Sequence, residues 1–175
     1  NSVWALALSS DDKTLYAGGV FAVIGCQIRT RLAAVDTKTG TVLPFDPGAS
    51  DPLKAVQDGI WALALSPDGK PLYLGGSFFV TSTAGHTIGG QSRNRLAAIE
   101  VVTGSVTSFN TGTDNTVLDI VLSPDGKTLY AAGDFTSIGG QSRKYLAAID
   151  LTTGAVTPFN PNPDGVVEQM VSSPD

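Results

Sequence analysis

One stretch of this chain is written three times, and that repetition limits the fold more than any single residue does. The run LALSSDDKTLY (Leu6 to Tyr16) returns as LALSPDGKPLY (Leu63 to Tyr73) and as DIVLSPDGKTLY (Asp119 to Tyr130). Each copy then has a small-residue step (Gly18-Gly19, Gly75-Gly76, Ala132-Gly133) and a phenylalanine (Phe21, Phe78, Phe135). IGCQIR, IGGQSR and IGGQSR follow, then RLAAVDTKTG, RLAAIEVVTG and YLAAIDLTTG, and the copies close with PFD, SFN and PFN. A fourth copy opens at Val166 and reaches Asp175. Self-similarity at a fixed period means that each unit is one supersecondary element whose apolar face is covered by its neighbours.

Each unit divides into four short strands. Strand a (Val3 to Ser9, Ile60 to Ser66, Val117 to Ser123) is apolar at nearly every position, which predicts burial on both faces. The SPDGK that follows places Pro, Asp and Gly for a tight reversal into strand b, where Asp68-Gly69 and Asp125-Gly126 are hairpin chemistry. Strand b ends on glycines that let a neighbouring backbone come close. Strand c is LAAVD, LAAIE or LAAID, and a TG turn leads to strand d. Pro44 and Pro158 place d at an edge, because proline donates no ladder hydrogen bond. So a lies inside and d outside.

Four antiparallel strands repeated every ~50 to 57 residues are the signature of a propeller blade. The expected fold is all-β: a β-propeller of four-stranded antiparallel blades, three full blades plus the first strand of a fourth. Blade 1 spans residues 3–59, blade 2 60–116, blade 3 117–165, and the start of blade 4 166–175. Both ends fall inside the repeat, so the chain reads as part of a longer one, or as a partial propeller completed by oligomerisation. No segment sustains a helical period.

Composition narrows the class of function. The chain has 20 glycines, 10 prolines and 15% charged residues, which suits a turn-rich β protein. Net charge is −5, and the 11 basic residues are scattered singly, which argues against nucleic acid as a partner. No apolar run approaches the ~20 residues of a membrane helix, so no membrane insertion is expected in this segment. One cysteine, Cys26, leaves no intrachain disulfide.

Loop geometry then sorts the connections. The a–b and c–d turns share one face of the disc, and the b–c and d–a loops share the other. The IGGQSR loops lie on that second face with two insertions, Gly48 to Gly59 and Val80 to His86. Loops on a rigid scaffold usually carry binding, so this is the face to search.

The sequence GGDFTSIGGQSRKYLAAIDLTTGAVTPFNPNPDG, with VLSPDGKTLYAAGDF, resembles the delta-60 repeat of large bacterial secreted and surface proteins. Related repeats occur in fungal cell-surface proteins of polarity. The joint occurrence of GG-x-F, IGG-x-S-R, LAA-I-D and TG carries the resemblance over nearly the whole chain, with Val20 and Cys26 of the first unit as departures. It implies an extracellular or cell-surface location and a non-catalytic scaffold or binding role, with no catalytic residue to carry over.

Each candidate site residue also has an architectural role open to it. Arg29, Arg93 and Arg143, beside Gln27, Gln91 and Gln141, stand at one place in every b–c loop. They form either a ring of guanidinium groups around the opening, suited to carboxylates or sulfates, or loop ties to a neighbouring Asp, Asn or carbonyl. Recurrence in every blade favours the second. Asp46, Asn110 and Asn160, with Asp114 and Asp164, supply the oxygens that calcium takes, but none fits a D-x-[DN]-x-[DN]-G loop. Ordinary turn formation is preferred there, and no cofactor is expected. His86 is the only histidine and builds no zinc site alone, so it reads as a loop-tip residue. Asp51 and Lys54 belong to the first insertion and complete the candidate binding face. Cys26 is expected to pack as a small apolar group, and Trp4 and Trp61 on strand a to pack in the core.

The chain therefore reads as a non-catalytic extracellular propeller segment, a scaffold for protein or glycan contacts or for further blades or copies of itself. Two alternatives stand beside it. One is a fragment of a propeller enzyme (lyase, hydrolase or quinoprotein type) whose catalytic residues lie in other blades. The other is a subunit of an extracellular filament or surface layer.

Overall fold

The computed structural model describes residues 1–47, 59–78 and 87–173. Most of both insertions, with Asp51, Lys54 and His86, lies outside the described residues. Blade 1 holds β1 (Ser2–Leu8), β2 (Thr14–Val20), a small hairpin of β3 (Val23–Ile24) and β4 (Gln27–Ile28), and β5 (Leu32–Asp36). Blade 2 repeats this as β6 (Ile60–Leu65), β7 (Pro71–Gly76), β8 (Thr87–Ile88), β9 (Gln91–Ser92) and β10 (Leu96–Glu100). Blade 3 does so as β11 (Val117–Leu122), β12 (Thr128–Gly133), β13 (Ser137–Ile138), β14 (Gln141–Ser142) and β15 (Leu146–Asp150). Within each blade the order is a-b-c, antiparallel throughout. The a strands β1, β6 and β11 are neighbours in space, so they lie innermost.

The fourth strand is shorter than expected. In place of a full strand d, each blade makes one isolated antiparallel bridge: Val35 with Val42, Ile99 with Val106, and Ile149 with Val156. Pro44 and Pro158 lack the N–H that would extend the pairing in blades 1 and 3, and arginine side chains occupy strand-d carbonyls in all three. The fourth copy, residues 166–173, forms no ladder. It lies on blade 3 as a strap, with the Met170 N–H donating to Asp119 Oδ2 at 2.6 Å.

Two apolar cores sit between the blades. Tyr16, Leu32, Ile60, Leu72, Leu74 and Ile99 form the one joining blades 1 and 2. Ala62, Tyr73, Val117, Ile120, Leu129 and Phe135 form the one joining blades 2 and 3. Each fully buried large side chain contributes about 1.5–3 kcal/mol, so these interfaces dominate the stability.

The paired glycines of strand b divide two tasks. A Cβ on Gly18 would lie 2.6 Å from Cγ2 of Ile60, and one on Gly75 would lie 2.8 Å from Cγ1 of Val117. The first glycine thus admits a β-branched side chain of the next blade. A Cβ on Gly19 or Gly76 would lie 2.1 Å from a backbone carbonyl, of Ser2 or Gly59. The second glycine thus admits the backbone that leads into its own blade's strand a.

Strand a falls short of the expected two-sided burial in every blade: β6 and β11 are half-buried at most positions, and β1 is largely exposed. Val3, Trp4, Leu6 and Leu8 are all exposed, with no described residue of another blade laid over Val3, Leu6 or Leu8 as blade 2 is over β11. Each a–b ladder also skips one residue, Trp4, Trp61 or Leu118, in a β-bulge. The bulge corrects the reading of the tryptophans as core. Trp4 is 57% exposed and rests on Trp61, with ring centroids 5.2 Å apart. The half-buried Trp61 donates its indole N–H to Ser77 Oγ at 3.0 Å.

Candidate functional site

The IGGQSR segments, expected as loops, are two-stranded hairpins. Gly25-Cys26, Gly89-Gly90 and Gly139-Gly140 all have positive φ at both turn positions, the signature of a two-residue type I′ turn. Cys26 takes φ 61° where the other blades have glycine. It is exposed at the tip, which corrects its reading as a packed apolar group.

Each hairpin folds back over its own strand d. A Cβ on Gly25 would meet Val42 Cγ2 at 2.7 Å, one on Gly89 would meet Val106 Cγ2 at 2.7 Å, and one on Gly139 would meet Val156 Cγ2 at 2.9 Å. The arginines that end the motif fix this arrangement. Arg29 donates from Nε to the Phe45 carbonyl (3.2 Å) and from Nη2 to the Leu43 carbonyl (3.0 Å). Arg93 does the same to Phe109 (3.0 Å) and Thr107 (2.7 Å), and also holds Gln91 Oε1 at 2.9 Å. Arg143 reaches the Thr157 carbonyl at 3.0 Å and Gln141 Oε1 at 3.1 Å, while its buried Nε finds no acceptor. Burial lowers the pKa of Arg93 from its ordinary value. The guanidinium groups thus lie on the outermost strand, at the rim of the disc and not around its centre. Gln27, Gln91 and Gln141 are exposed beside them.

The acidic residues are similarly occupied. Asp114 accepts the N–H groups of Thr136 and Ser137 and the Thr136 hydroxyl, so it caps the third hairpin from the d–a segment of blade 2. Burial pushes its carboxyl up, but these donors outweigh that and hold it below the ordinary 3.8. Thr113 pairs with Ile138 in an isolated bridge, which places the d–a segment and the b–c hairpin side by side as the topology predicts. Asp46 lies 3.9 Å from Arg29 Nη1. Among the described residues, no three or more His, Cys, Asp or Glu side chains group to hold a metal ion.

Sequence reasoning passed over two features. Arg31, Arg95 and Tyr145, at one position before strand c, all adopt φ 64°, and each donates its N–H to the phenylalanine carbonyl that began the excursion. The second is an asymmetry among the hairpins. The cross-strand pair is Thr87 with Ser92 in blade 2 and Ser137 with Ser142 in blade 3, but Val23 with Ile28 in blade 1. Val23 and Ile28 are exposed, Ile28 at 77%. The signal was present in the letters: IGCQIR carries an isoleucine where IGGQSR carries serine.

A groove of about 490 Å³ runs between blades 2 and 3, lined by Tyr73, Glu100, Asn110, Thr152 and Thr153 among others. Burial, and then the charges of Asp68 and Glu100, push the Tyr73 phenol up from its ordinary value.

No family model matches the chain, and no curated protein matches it in sequence. Solved structures do match. The structure of U3-55K is 14% identical with a TM-score of 0.57, over 89% of this chain and 38% of that one. The RRP9 WD40 repeats are 15% identical with a TM-score of 0.58, over 89% and 37%. The Kuenenia stuttgartiensis hydrazine synthase is 19% identical with a TM-score of 0.49, over 89% and 34%. The chain therefore spans little more than a third of the length of these solved chains. WD40 repeats build β-propellers, and with the blade order seen here the likeness shows the fold. The chain is a β-propeller segment.

Proposed function

We propose that this chain is a non-catalytic propeller scaffold that makes protein contacts through the hairpin rim, with hairpin β3–β4 as its principal contact. The observation that carries this reading is the exposed Val23–Ile28 pair on a hairpin that Arg29 pins to its own blade. An apolar pair held rigidly at a rim gives up little conformational freedom on binding and removes apolar surface from water when covered. The recurring Arg groups and Asp114 support a scaffold role as well, since the Arg donors tie each blade to its own strand d and Asp114 ties blade 2 to blade 3. The resemblance to the delta-60 repeat supports reading the scaffold as extracellular or cell-surface, with proteins of that compartment as its partners and glycans as the competing class.

The test is a binding screen against arrayed extracellular proteins and glycans, run with the wild type and with a Val23→Ser, Ile28→Ser double variant. That variant gives hairpin 1 the polar character of hairpins 2 and 3. Protein hits that it loses, at unchanged thermal stability, support the reading. Hits that it retains in full, or glycan hits alone, overturn the choice of hairpin 1 and of a protein partner.

A further inference from the structure

The groove between blades 2 and 3 differs in chemistry from the same place between blades 1 and 2. Strand d of blade 2 brings Ser108 and Asn110 to it, and the c–d turn of blade 3 brings Thr152. The corresponding residues at the junction of blades 1 and 2 are Pro44, Asp46 and Val102. Tyr73 and Phe109, an edge-to-face pair with centroids 5.5 Å apart, line the groove as well. Both of its walls belong to described blades, and its volume of about 490 Å³ is within the range of ligand sites.

One residue of the groove is set apart from its counterparts. Glu100 ends strand c of blade 2, where blades 1 and 3 have Asp36 and Asp150. Those two aspartates are taken up by their own c–d turns. Asp36 Oδ1 accepts the Lys38 and Thr39 N–H groups and the Thr39 hydroxyl, and Asp150 Oδ1 accepts the same set from Thr152 and Thr153. The turn after Glu100 keeps the main-chain bonds common to all three, from Gly104 N–H to the Glu100 carbonyl and from Glu100 N–H to the Ser105 carbonyl. With one methylene more, the Glu100 carboxylate makes no hydrogen bond or ion pair among the described residues. No lysine or arginine lines the groove among those residues. Lys70, just before β7, serves Asp68 instead: the Ser66 hydroxyl, then the Lys70 N–H and charge, hold that carboxyl below its ordinary value.

We infer that this groove takes the arginine side chain of a partner protein. The planar fork of a guanidinium matches the Glu100 carboxylate, and Ser108, Asn110 and Thr152 offer oxygens to the donors left over. A guanidinium has more N–H donors than an ammonium, so a groove with acceptors beyond its one carboxylate favours arginine over lysine. The half-buried Phe109 ring gives the apolar stem and the flat cation an aromatic surface. The inference rests on the scaffold reading only in taking a protein as partner, and it shares no residue with hairpin β3–β4.

The experiment titrates the isotope-labelled whole chain with the peptide acetyl-Gly-Arg-Gly-amide, up to about 20 mM, and follows the amide resonances. Saturable shifts are expected at Glu100, Asn110 and Thr152. The citrulline peptide, neutral and of the same shape, should bind about tenfold more weakly or worse, and so should the arginine peptide to Glu100→Gln. Glu100→Asp keeps the charge but lets the c–d turn take the carboxylate, as it does at Asp36 and Asp150, and should weaken binding about fivefold. Asp164→Asn, which removes an exposed carboxylate elsewhere, should stay within about twofold. The Val23→Ser, Ile28→Ser variant should bind the peptide as wild type does, which separates a failure here from a failure of the hairpin reading. The same spectra show whether each variant is folded, and the citrulline comparison needs no variant. Absence of saturable shifts in wild type overturns the inference, as does equal binding of the citrulline peptide or full binding by Glu100→Asp. Maltotriose shifting these amides where the arginine peptide does not would assign the groove to a sugar and overturn it too.

Discussion

The strands β1 and β11 occupy the same place in their blades and are apolar to a similar degree, yet their surroundings are opposite. Ile120 in β11 is 4% exposed, whereas Leu6, its counterpart in β1, is 59% exposed. Val117 is fully buried and Val3 is 49% exposed. The difference is not in the strand but in what precedes it: blade 2 covers β11, and nothing among the described residues covers β1. In a repeat array each unit contacts its neighbours alone, so burial belongs to the interface and not to the unit. An apolar strand a is therefore the record of an interface, filled at β11 by blade 2 and not filled at β1 by any described residue.

The largest expected effect tests that contrast directly. Ile120→Ala empties a site inside the core between blades 2 and 3 and should cost about 3 kcal/mol in urea denaturation. Leu6→Ala, at the equivalent position, should stay within about 0.5 kcal/mol when measured at concentrations where the chain is monomeric. Comparable losses at the two positions would mean that the β1 face is covered within the monomer, and the contrast would fail.

A second comparison sets an interior blade against the terminal one. Arg93 is buried and its Nε bonds the Phe109 carbonyl, while the Nε of Arg143 is left without an acceptor. Arg93→Met should cost about 2 kcal/mol, the scale of a hydrogen bond made by a buried charged donor. Arg143→Met should cost about half as much, because the pinning of strand d in blade 3 is incomplete. Equal losses would show that the fork to strand d is not what the arginine contributes.

Much of this was legible in the letters. The repeat pointed to an all-β propeller, the proline-marked strand d to the inside-to-outside order, and Asp-Gly to the a–b turns, where Asp68 and Asp125 accept the Lys70 and Lys127 N–H groups. Recurrence also pointed to the loop-tie role of the arginines. The hairpins were not legible, because two-residue strands are too short to show a period of two. Their fold-back onto strand d depends on contacts between Gly25 and Val42 that are distant in sequence. Nor was the exposure of Trp4, since a β-bulge shifts which side chain faces the core and apolar composition does not reveal it. The asymmetry at Val23 and Ile28 is readable by comparing the copies letter by letter, since Ile28 stands where Ser92 and Ser142 stand in the other two.

The hairpins themselves supply the third test. Cys26 holds φ 61°, a conformation that costs an L residue about 1 kcal/mol or more and a glycine nothing comparable. Cys26→Gly makes the first tip identical in sequence to the other two and should raise stability by about 1 kcal/mol. No change, or a loss, would show that the Cys26 side chain makes a stabilising contact at the tip that its exposure does not suggest.

The smallest effect concerns two carboxylates, Asp114 at the end of blade 2 and Asp119 in blade 3, that titrate in opposite senses. Asp114 is held below 3.8: burial raises it, but the Thr136 and Ser137 donors prevail. Asp119 is raised above 3.8, first by burial, with the Met170 and Ile120 N–H groups partly offsetting it. A depressed carboxylate stabilises the fold at pH above its unfolded value, and that contribution disappears as pH falls through the folded value, here below 3.8. A raised carboxylate behaves in reverse, since its ionised form is disfavoured in the fold and the penalty is relieved as pH falls toward 3.8 from above. Wild type should therefore lose stability relative to Asp114→Asn on acidification below 3.8. It should gain relative to Asp119→Asn in the window just above 3.8. Thermal melts at stepped pH would measure both. If the stability difference between wild type and Asp119→Asn does not change with pH in that window, the Asp119 carboxyl is not desolvated as its contact with the strap requires.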